Sequence, residues 1–311
     1  MSSTNRTLLK AAGFLMAAQM ASRLLGFLRT TLIAGFFGQS SVTDAYNTAF
    51  ILPDLLYWLL VGGVLSAAFI PVFSKYIAQG NEDEGWRVVS SVVNIIFMVL
   101  AVFVVFGLFF TPEFLKLMVP GFQAKNIALT TQLTRILLMQ PLFMAFSGLT
   151  MGVLNSYKIF WPSALGTVLY NACVIFFGTI LANPTKPESI SGFAVGVVVG
   201  ALVNFAVQIP ALRKVGIRYH AIIDWRHPGV RRIAALAVPI ILSYSLNQIQ
   251  IAVNKHKLFW VEPVFPREYF CYLEFISSFP NACRDLCFSN CCSLFSNDDR
   301  AGCFKTMGWT S

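Results

Sequence analysis

The chain has 311 residues, of which 56% are hydrophobic and only 12% charged, with a mean hydropathy of +0.67 and a formal net charge of +9. A soluble domain carries about a quarter charged residues, so a water-solvated globule is excluded and an all-α membrane protein expected. The positive excess does not point to nucleic acid. The cations fall mostly between hydrophobic blocks, as in cytoplasmic membrane loops, and no aromatic-plus-basic single-strand module or recognition helix accompanies them.

Apolar runs of roughly 18 residues or more cross hydrocarbon as helices, because lipid offers no partner for an open backbone. The first such span is predicted over residues 11–38. Arg6 and Lys10 precede it as in a signal peptide, but Leu24–Gly38 stays largely apolar, so the span is read as uncleaved. Arg23 and Arg29 interrupt it. A charge inside a span costs about 3 kcal/mol on insertion scales, which usually marks a functional path. Six residues place the two about 9 Å apart along a helix and in different directions. Their long side chains still allow both to face one wet cavity, where the five fixed donors of a guanidinium suit phosphate oxygens. Snorkelling to an interface, or structural pairing with Asp44, is the plainer reading.

The second span is predicted over residues 41–74. Ser41-Val42-Thr43-Asp44 has the form of a capping box opening it. Asp44 is therefore either a helix-end carboxylate or the counter-ion of an arginine, and Asp54, beside Pro53, is equally open. Pro53, Gly62, Gly63 and Pro71 predict a bent or broken helix, of the kind transporters place beside binding sites.

Further spans are predicted over 88–112, 136–157, 159–185, 189–212 and 233–254. In the sixth, Gly192, Gly196 and Gly200 repeat every four residues and give one smooth face for a neighbouring helix. Between the sixth and seventh lies a short basic segment, 213–232, with Ile217, Tyr219, Ile222, Ile223 and Trp225 interleaved. It is either an interfacial strap or a plain positive-inside loop. With the N-terminus inside, the inner loops hold Arg6, Lys10, Lys75, Arg87, Lys158, Arg213, Lys214, Arg218, Arg226, Arg231 and Arg232. The outer loops hold only Lys116, Lys125, Arg135 and Lys186, so a cytoplasmic N-terminus is predicted.

No nucleophile–base arrangement, HExxH, phosphate-cradling glycine loop or Walker lysine occurs, and His220, His227 and His256 are scattered. No catalytic residue, metal or cofactor is expected. Cysteine usage divides the chain. Residues 1–270 hold Cys173 alone, whereas Cys271, Cys283, Cys287, Cys291, Cys292 and Cys303 crowd the last 41 residues, a spacing that matches zinc sites poorly. The expected organisation is a six-helix N-terminal bundle over 1–212, a basic linker over 213–232, the start of a second bundle over 233–254, and an aberrant tail over 255–311.

The run Ser22-Arg23-Leu24-Leu25-Gly26-Phe27-Leu28-Arg29 is followed in register by Phe37-Gly38, Thr43-Asp44-Ala45-Tyr46, Ala49-Phe50, Leu52-Pro53 and Ala67-Ala68-Phe69-Ile70-Pro71. This pattern resembles the opening of the MurJ (MviN) family of lipid II flippases. The stretch Ala164–Asn171 and the segment Gln208-Ile209-Pro210 through Lys214 and Gly216 are similar to it as well, so the match covers about residues 8–254. The resemblance implies the N-lobe of the fold of the multidrug/oligosaccharidyl-lipid/polysaccharide exporter (MATE-like) superfamily, with six to seven helices present. It implies a multi-pass protein of the bacterial inner membrane that moves the undecaprenyl-diphosphate-linked precursor lipid II to the outer leaflet. Arg23, Arg29 and Asp44 fall at positions important in the family. Lipid II, membrane lipids and peptidoglycan-synthesis proteins are the implied partners.

Two departures stand out. Thr30 replaces an aspartate that many members carry after the second arginine, and Tyr57-Trp58 replaces a basic pair. From about Lys255 the family pattern stops, which reads as a shifted frame, and a chain with one bundle is expected not to transport by itself. Another exporter of the superfamily is the alternative, and a membrane scaffold or receptor the alternative from a different class.

Overall fold

The computed structural model describes residues 3–38, 40–58, 68–119, 122–183, 186–239 and 241–243, and among them every regular element is helical. Five stretches are long and apolar enough to cross a membrane: Gly13–Phe37, Glu82–Met118, Ala124–Ser156, Trp161–Leu181 and Pro187–Lys214. The chain is a multi-pass helical membrane protein. Gly62, Gly63, residues 244–254 of the seventh predicted span and the cysteine-rich tail lie outside the described residues.

Helix α1 (Ser3–Phe37) carries the first span and ends at Gly38, whose φ of +64° turns the chain. The predicted second span is divided into α2 (Ser41–Ala49), α3 (Ile51–Tyr57) and α4 (Ile70–Ala78). The break at Phe50 has a covalent cause. Pro53 has no N–H to donate to the Ala49 carbonyl, and its ring crowds that group. Pro71 sits in the first turn of α4, where no such donor is needed. The capping box is not formed as predicted. Ser40 is the N-cap of α2 and makes no side-chain cap bond, while the Thr43 hydroxyl donates to the Gly38 carbonyl at 2.8 Å.

Helix α5 (Glu82–Met118) contains Pro112, which leaves the Leu108 carbonyl without its intrahelical donor. In a bilayer a neighbouring helix has to supply one. The Arg135 Nε on α6 (Ala124–Leu137) donates to Leu108 O at 3.2 Å. This corrects the sequence reading, in which Lys125 and Arg135 lie in an outer loop and the fourth span begins at residue 136. The stretch looks polar because of its threonines. Thr130, Thr131 and Thr134, however, turn their hydroxyls back onto the carbonyls of Asn126, Ile127 and Thr130 at 2.7–2.8 Å, so the helix surface they present is methyl. Helix α7 (Gln140–Ser156) continues the crossing after a two-residue step at Leu138–Met139.

Helix α8 (Trp161–Leu181) and helix α9 (Ser191–Ala206) form the tightest pair, joined through a 3-10 turn at Pro187–Ile190 and followed by α10 (Ile209–Lys214). A Cβ added at Gly192 would lie 2.6 Å from Leu181 Cβ, one at Gly196 3.0 Å from Val174 Cα, and one at Gly200 2.8 Å from the Tyr170 carbonyl oxygen. The glycine stripe is therefore the surface on which α8 lies antiparallel to α9. Phe193 fills the reciprocal notch at Gly178. Two cores result. One gathers Ile33, Tyr46, Ala49, Leu133, Leu137, Val174, Phe193 and Val197, and the other gathers Leu52, Leu56, Phe69, Phe73, Trp86, Val89 and Leu100. The Phe50 break lies where the chain passes from the first to the second.

The basic segment after α10 is bound along α5. His220 N–H donates to Ser90 Oγ at 3.0 Å, Asn94 Nδ2 donates to Ile222 O at 3.0 Å, and Tyr219 Oη donates to Asn94 Oδ1 at 2.7 Å. Arg218 pairs with Asp83. His227 accepts the Gly229 N–H on Nδ1 at 3.1 Å, so its Nε2 carries the proton given to Glu84 Oε1 at 2.7 Å. Tyr157, at the end of α7, reaches Glu82; burial and the Glu82 charge raise its phenol pKa above the usual value. The ends of α4 and α7, the start of α5 and the segment 215–227 thus lie together at one end of the bundle. A helical stretch, residues 228–239, follows.

The Pro112–Leu108–Arg135 arrangement predicts a non-additive pair. Arg135→Ala should lower stability by about 1 kcal/mol. It should cost much less in a Pro112→Ala background, where the substituted residue supplies the missing N–H. A double-mutant cycle by thermal unfolding in detergent measures this; additive losses would show that Arg135 does not serve that carbonyl.

Candidate functional site

On α1, the residues Ser22, Gly26, Arg29 and Ile33 share one face at helical spacing. That face lies on α8. Asn171 Nδ2 donates to Ser22 O at 3.3 Å and to Ser22 Oγ at 3.0 Å, and Ser22 Oγ donates to Thr167 O at 3.4 Å. A Cβ added at Gly26 would lie 4.0 Å from Asn171 Oδ1, ordinary van der Waals spacing, so the helices are held here by the polar bonds and not by the glycine.

One turn further along α1, the half-buried Arg29 guanidinium comes within reach of the hydroxyl of Tyr170 on α8. Its charge also acts on Tyr46 of α2. Asp54 of α3 acts on the same two tyrosines and on Tyr57. A guanidinium and a carboxylate on two helices therefore act on the same two phenols, which belong to two others. Tyr46 is only 4% exposed, and its ring is held edge-on by Phe50 and Phe193, with centroids 5.1 and 6.4 Å away. The close approach of Gly200 to the Tyr170 backbone and ring fixes where Tyr170 stands.

The predicted trio is not assembled as one set. Arg29 is in the cluster. Arg23 is exposed on α1, and it is not among the charges acting on Tyr46 or Tyr170. Asp44 is half-buried in the first turn of α2, a favourable place for a carboxylate on the helix dipole, two residues before Tyr46. Tyr46 and Tyr170 are site residues that the sequence reading misses. The signal for them is a polar tip in each apolar stretch, Tyr170 standing beside Asn171.

Chemically, a guanidinium that spends one donor on a phenol keeps others for an oxyanion. Such a cluster suits reversible binding of a phosphate-type group.

A sequence profile described as Lipid II flippase MurJ matches residues 33–256. The "Probable lipid II flippase MurJ" of Buchnera aphidicola subsp. Acyrthosiphon pisum is 33% identical over 237 residues, 76% of this chain and 46% of the relative. The "Lipid II flippase MurJ" of Burkholderia cenocepacia is 33% identical over 255 residues, 80% of this chain and 48% of the relative. The chain spans about half the length of the curated relatives it matches. Among solved structures, "Lipid II flippase MurJ, inward closed conformation" superposes with a TM-score of 0.66 at 26% identity, over 80% of this chain and 51% of that one. An inward-facing multidrug resistance MATE family transporter of the MOP superfamily gives a TM-score of 0.53 at 16% identity over 73% of this chain and 51% of that one, a likeness of fold.

The Arg29–Tyr170 bond predicts that Tyr170→Phe lowers stability by about 1.5–3 kcal/mol, since a charged donor loses its acceptor inside a span. Thermal unfolding in detergent tests it, and an unchanged midpoint would show that the hydroxyl does not hold Arg29.

Proposed function

The chain belongs to the lipid II flippase MurJ family, and from that premise we propose that it is the N-terminal bundle of a machine that carries lipid II from the inner to the outer leaflet of the bacterial cytoplasmic membrane. The observation that carries this reading is Arg29, a guanidinium held inside a span by a phenol with donors to spare. The diphosphate of a lipid-linked precursor needs such partners, while its polyprenyl tail can stay in the bilayer. Arg23, exposed on the same helix, reaches the headgroup from a second direction, and Asp44 orients the cationic side of the site.

The N-terminus and the 213–232 segment are assigned to the cytoplasm. Support comes from the cations Arg213, Lys214, Arg218, Arg226, Arg231 and Arg232, which sit at the same bundle end as Lys75, Arg87 and Lys158. Proteins of peptidoglycan synthesis are the partners expected on the outer face. In a background with all seven native cysteines replaced by serine, Ala221→Cys should be labelled by an impermeant maleimide only after the cells are opened, and Glu188→Cys in intact cells. Labelling of Ala221→Cys from outside would reverse the topology.

A chimera joining residues 1–254 to the remaining half of the Burkholderia cenocepacia relative should support growth of a flippase-depleted bacterium. Arg29→Ala or Arg23→Ala in that chimera should abolish growth at unchanged protein level. Growth sustained with both arginines replaced would reject the diphosphate site.

A further inference from the structure

Away from the Arg29 cluster, a cleft of about 290 Å³ opens between the start of α1 and the turn that joins α7 to α8. Its walls are Phe14 and Leu15 on one side and Ile159, Phe160 and Trp161 on the other, and its one charged residue is Lys158. Three spans end at this level. Gly13–Phe37 begins one residue before Phe14, Ala124–Ser156 stops two residues short of Lys158, and Trp161–Leu181 opens with Trp161 itself. The cleft therefore lies at the boundary between hydrocarbon and headgroups, the depth at which tryptophan collects.

Lys158 occupies a costly backbone position. Its φ is +62°, and it is the one non-glycine residue in the left-handed region among the described residues; Gly38, Gly80 and Gly216 take the other three such positions. Glycine or asparagine would sit at this helix end with less strain. The Lys158 N–H donates to Asn155 O and the Ile159 N–H to Leu154 O, both at 2.9 Å, so the backbone already serves the last carbonyls that a lysine here could cap. The side chain is exposed, and its ammonium makes no ion pair or hydrogen bond among the described residues. Snorkelling accounts for a lysine at this depth. It does not account for one at a left-handed position on the wall of an apolar cleft.

We propose that this cleft binds one anionic phospholipid, with the lipid phosphate at the Lys158 ammonium and part of one acyl chain between Phe14, Ile159 and Trp161. The unpaired cation selects an anionic headgroup, and the apolar walls select a chain attached to it. A volume of about 290 Å³ takes a stretch of one chain and leaves the rest of the lipid in the bilayer. The site is independent of the diphosphate reading of Arg29. Its consequence falls on α1, the span least covered by protein. A lipid seated here ties the start of that helix to the α7–α8 turn, where the protein itself supplies little contact.

The test is native mass spectrometry of the full chain in detergent, titrated with phosphatidylglycerol in one arm and phosphatidylcholine of the same acyl chains in the other. The melting temperature of each lipid-free variant is measured alongside. The first lipid bound by the native chain should be phosphatidylglycerol, preferred about fivefold or more, the gain that one cation makes at an anionic lipid. Lys158→Gly removes the cation and relieves the left-handed residue, so it should lose about fivefold of that preference while its melting temperature stays level or rises. Lys158→Asn, which also tolerates the turn, carries the same reading should the glycine variant not fold. Lys158→Arg should keep the preference, and Trp161→Ala should weaken both lipids alike. Lys75→Gln, at another exposed cation of the same bundle end, should change nothing. An undiminished preference in Lys158→Gly overturns the proposal. So does an equal loss in Lys75→Gln, because the lipid would then follow net charge and not this cleft. Unchanged binding by Trp161→Ala overturns the seat of the acyl chain. The chimera of residues 1–254 with the Burkholderia cenocepacia half tests a protein occupant: a Lys158-dependent preference that vanishes there would give the cleft to that half and overturn the lipid.

Discussion

A guanidinium inside a membrane span has to receive its acceptors from the protein, because the lipid around it has none to give. Much of this bundle follows from that requirement at Arg29. The hydroxyl brought within its reach is that of Tyr170, which lies far away in sequence and belongs to α8. For α8 to stand beside α1, the Ser22–Asn171–Thr167 bonds are needed on one side. For Tyr170 to stand at the right depth, Gly200 is needed on the other, since any larger residue would drive α9 off its backbone. The glycine stripe thus acts at a distance on the charge. It is a packing device whose outcome is the position of one hydroxyl.

The same requirement recurs in a different chemical form at Pro112. There the unmet group is a backbone carbonyl and the supplied partner is a cation, Arg135. The two cases run in opposite directions. At Arg29 the protein finds an acceptor for a charged donor, and at Leu108 a charged donor for an orphaned acceptor. Both use a residue from a neighbouring helix, which ties the position of that helix to a polar contact as well as to side-chain shape.

Composition and periodicity make the membrane class, the first span and the α8–α9 contact readable, because each depends on local patterns: apolar length, and glycine every fourth residue. The opening motif makes the family readable from residues 22–71. The features that escape depend on pairing between distant segments. Arg135 reads as a loop residue because threonine and asparagine around it lower the apparent hydropathy, whereas threonine hydroxyls on a helix can satisfy themselves on the preceding turn. Arg23 and Arg29 share a helix in either reading, but their angular separation, which sends Arg29 onto α8 and leaves Arg23 exposed, becomes concrete only once α8 is in place. Tyr46 stands in the family pattern without a role, since nothing in its own sequence neighbourhood shows that its hydroxyl is buried. The strap along α5 stays open between two sequence readings because serine and asparagine at 90, 91 and 94 do not announce which backbone they will hold.

The strap also has a mechanical meaning. A short segment such as 215–227 would ordinarily act as slack between helices and let the next helix drift by tens of ångströms. Here it is fastened at Arg218, His220, Ile222 and His227. Gly229 is seated so close to Val88 and Tyr76 that even a methyl group would collide. No free leash remains. The helix at 228–239 starts from this clamped Pro228–Gly229 step and lays Val230, Ile233 and Ala237 into the same core as Trp86 and Val88, so it cannot slide along α5 without stripping both the strap and that apolar face. A displacement of this helix is therefore handed to α5 as a rigid load, with nothing in the linker to absorb it.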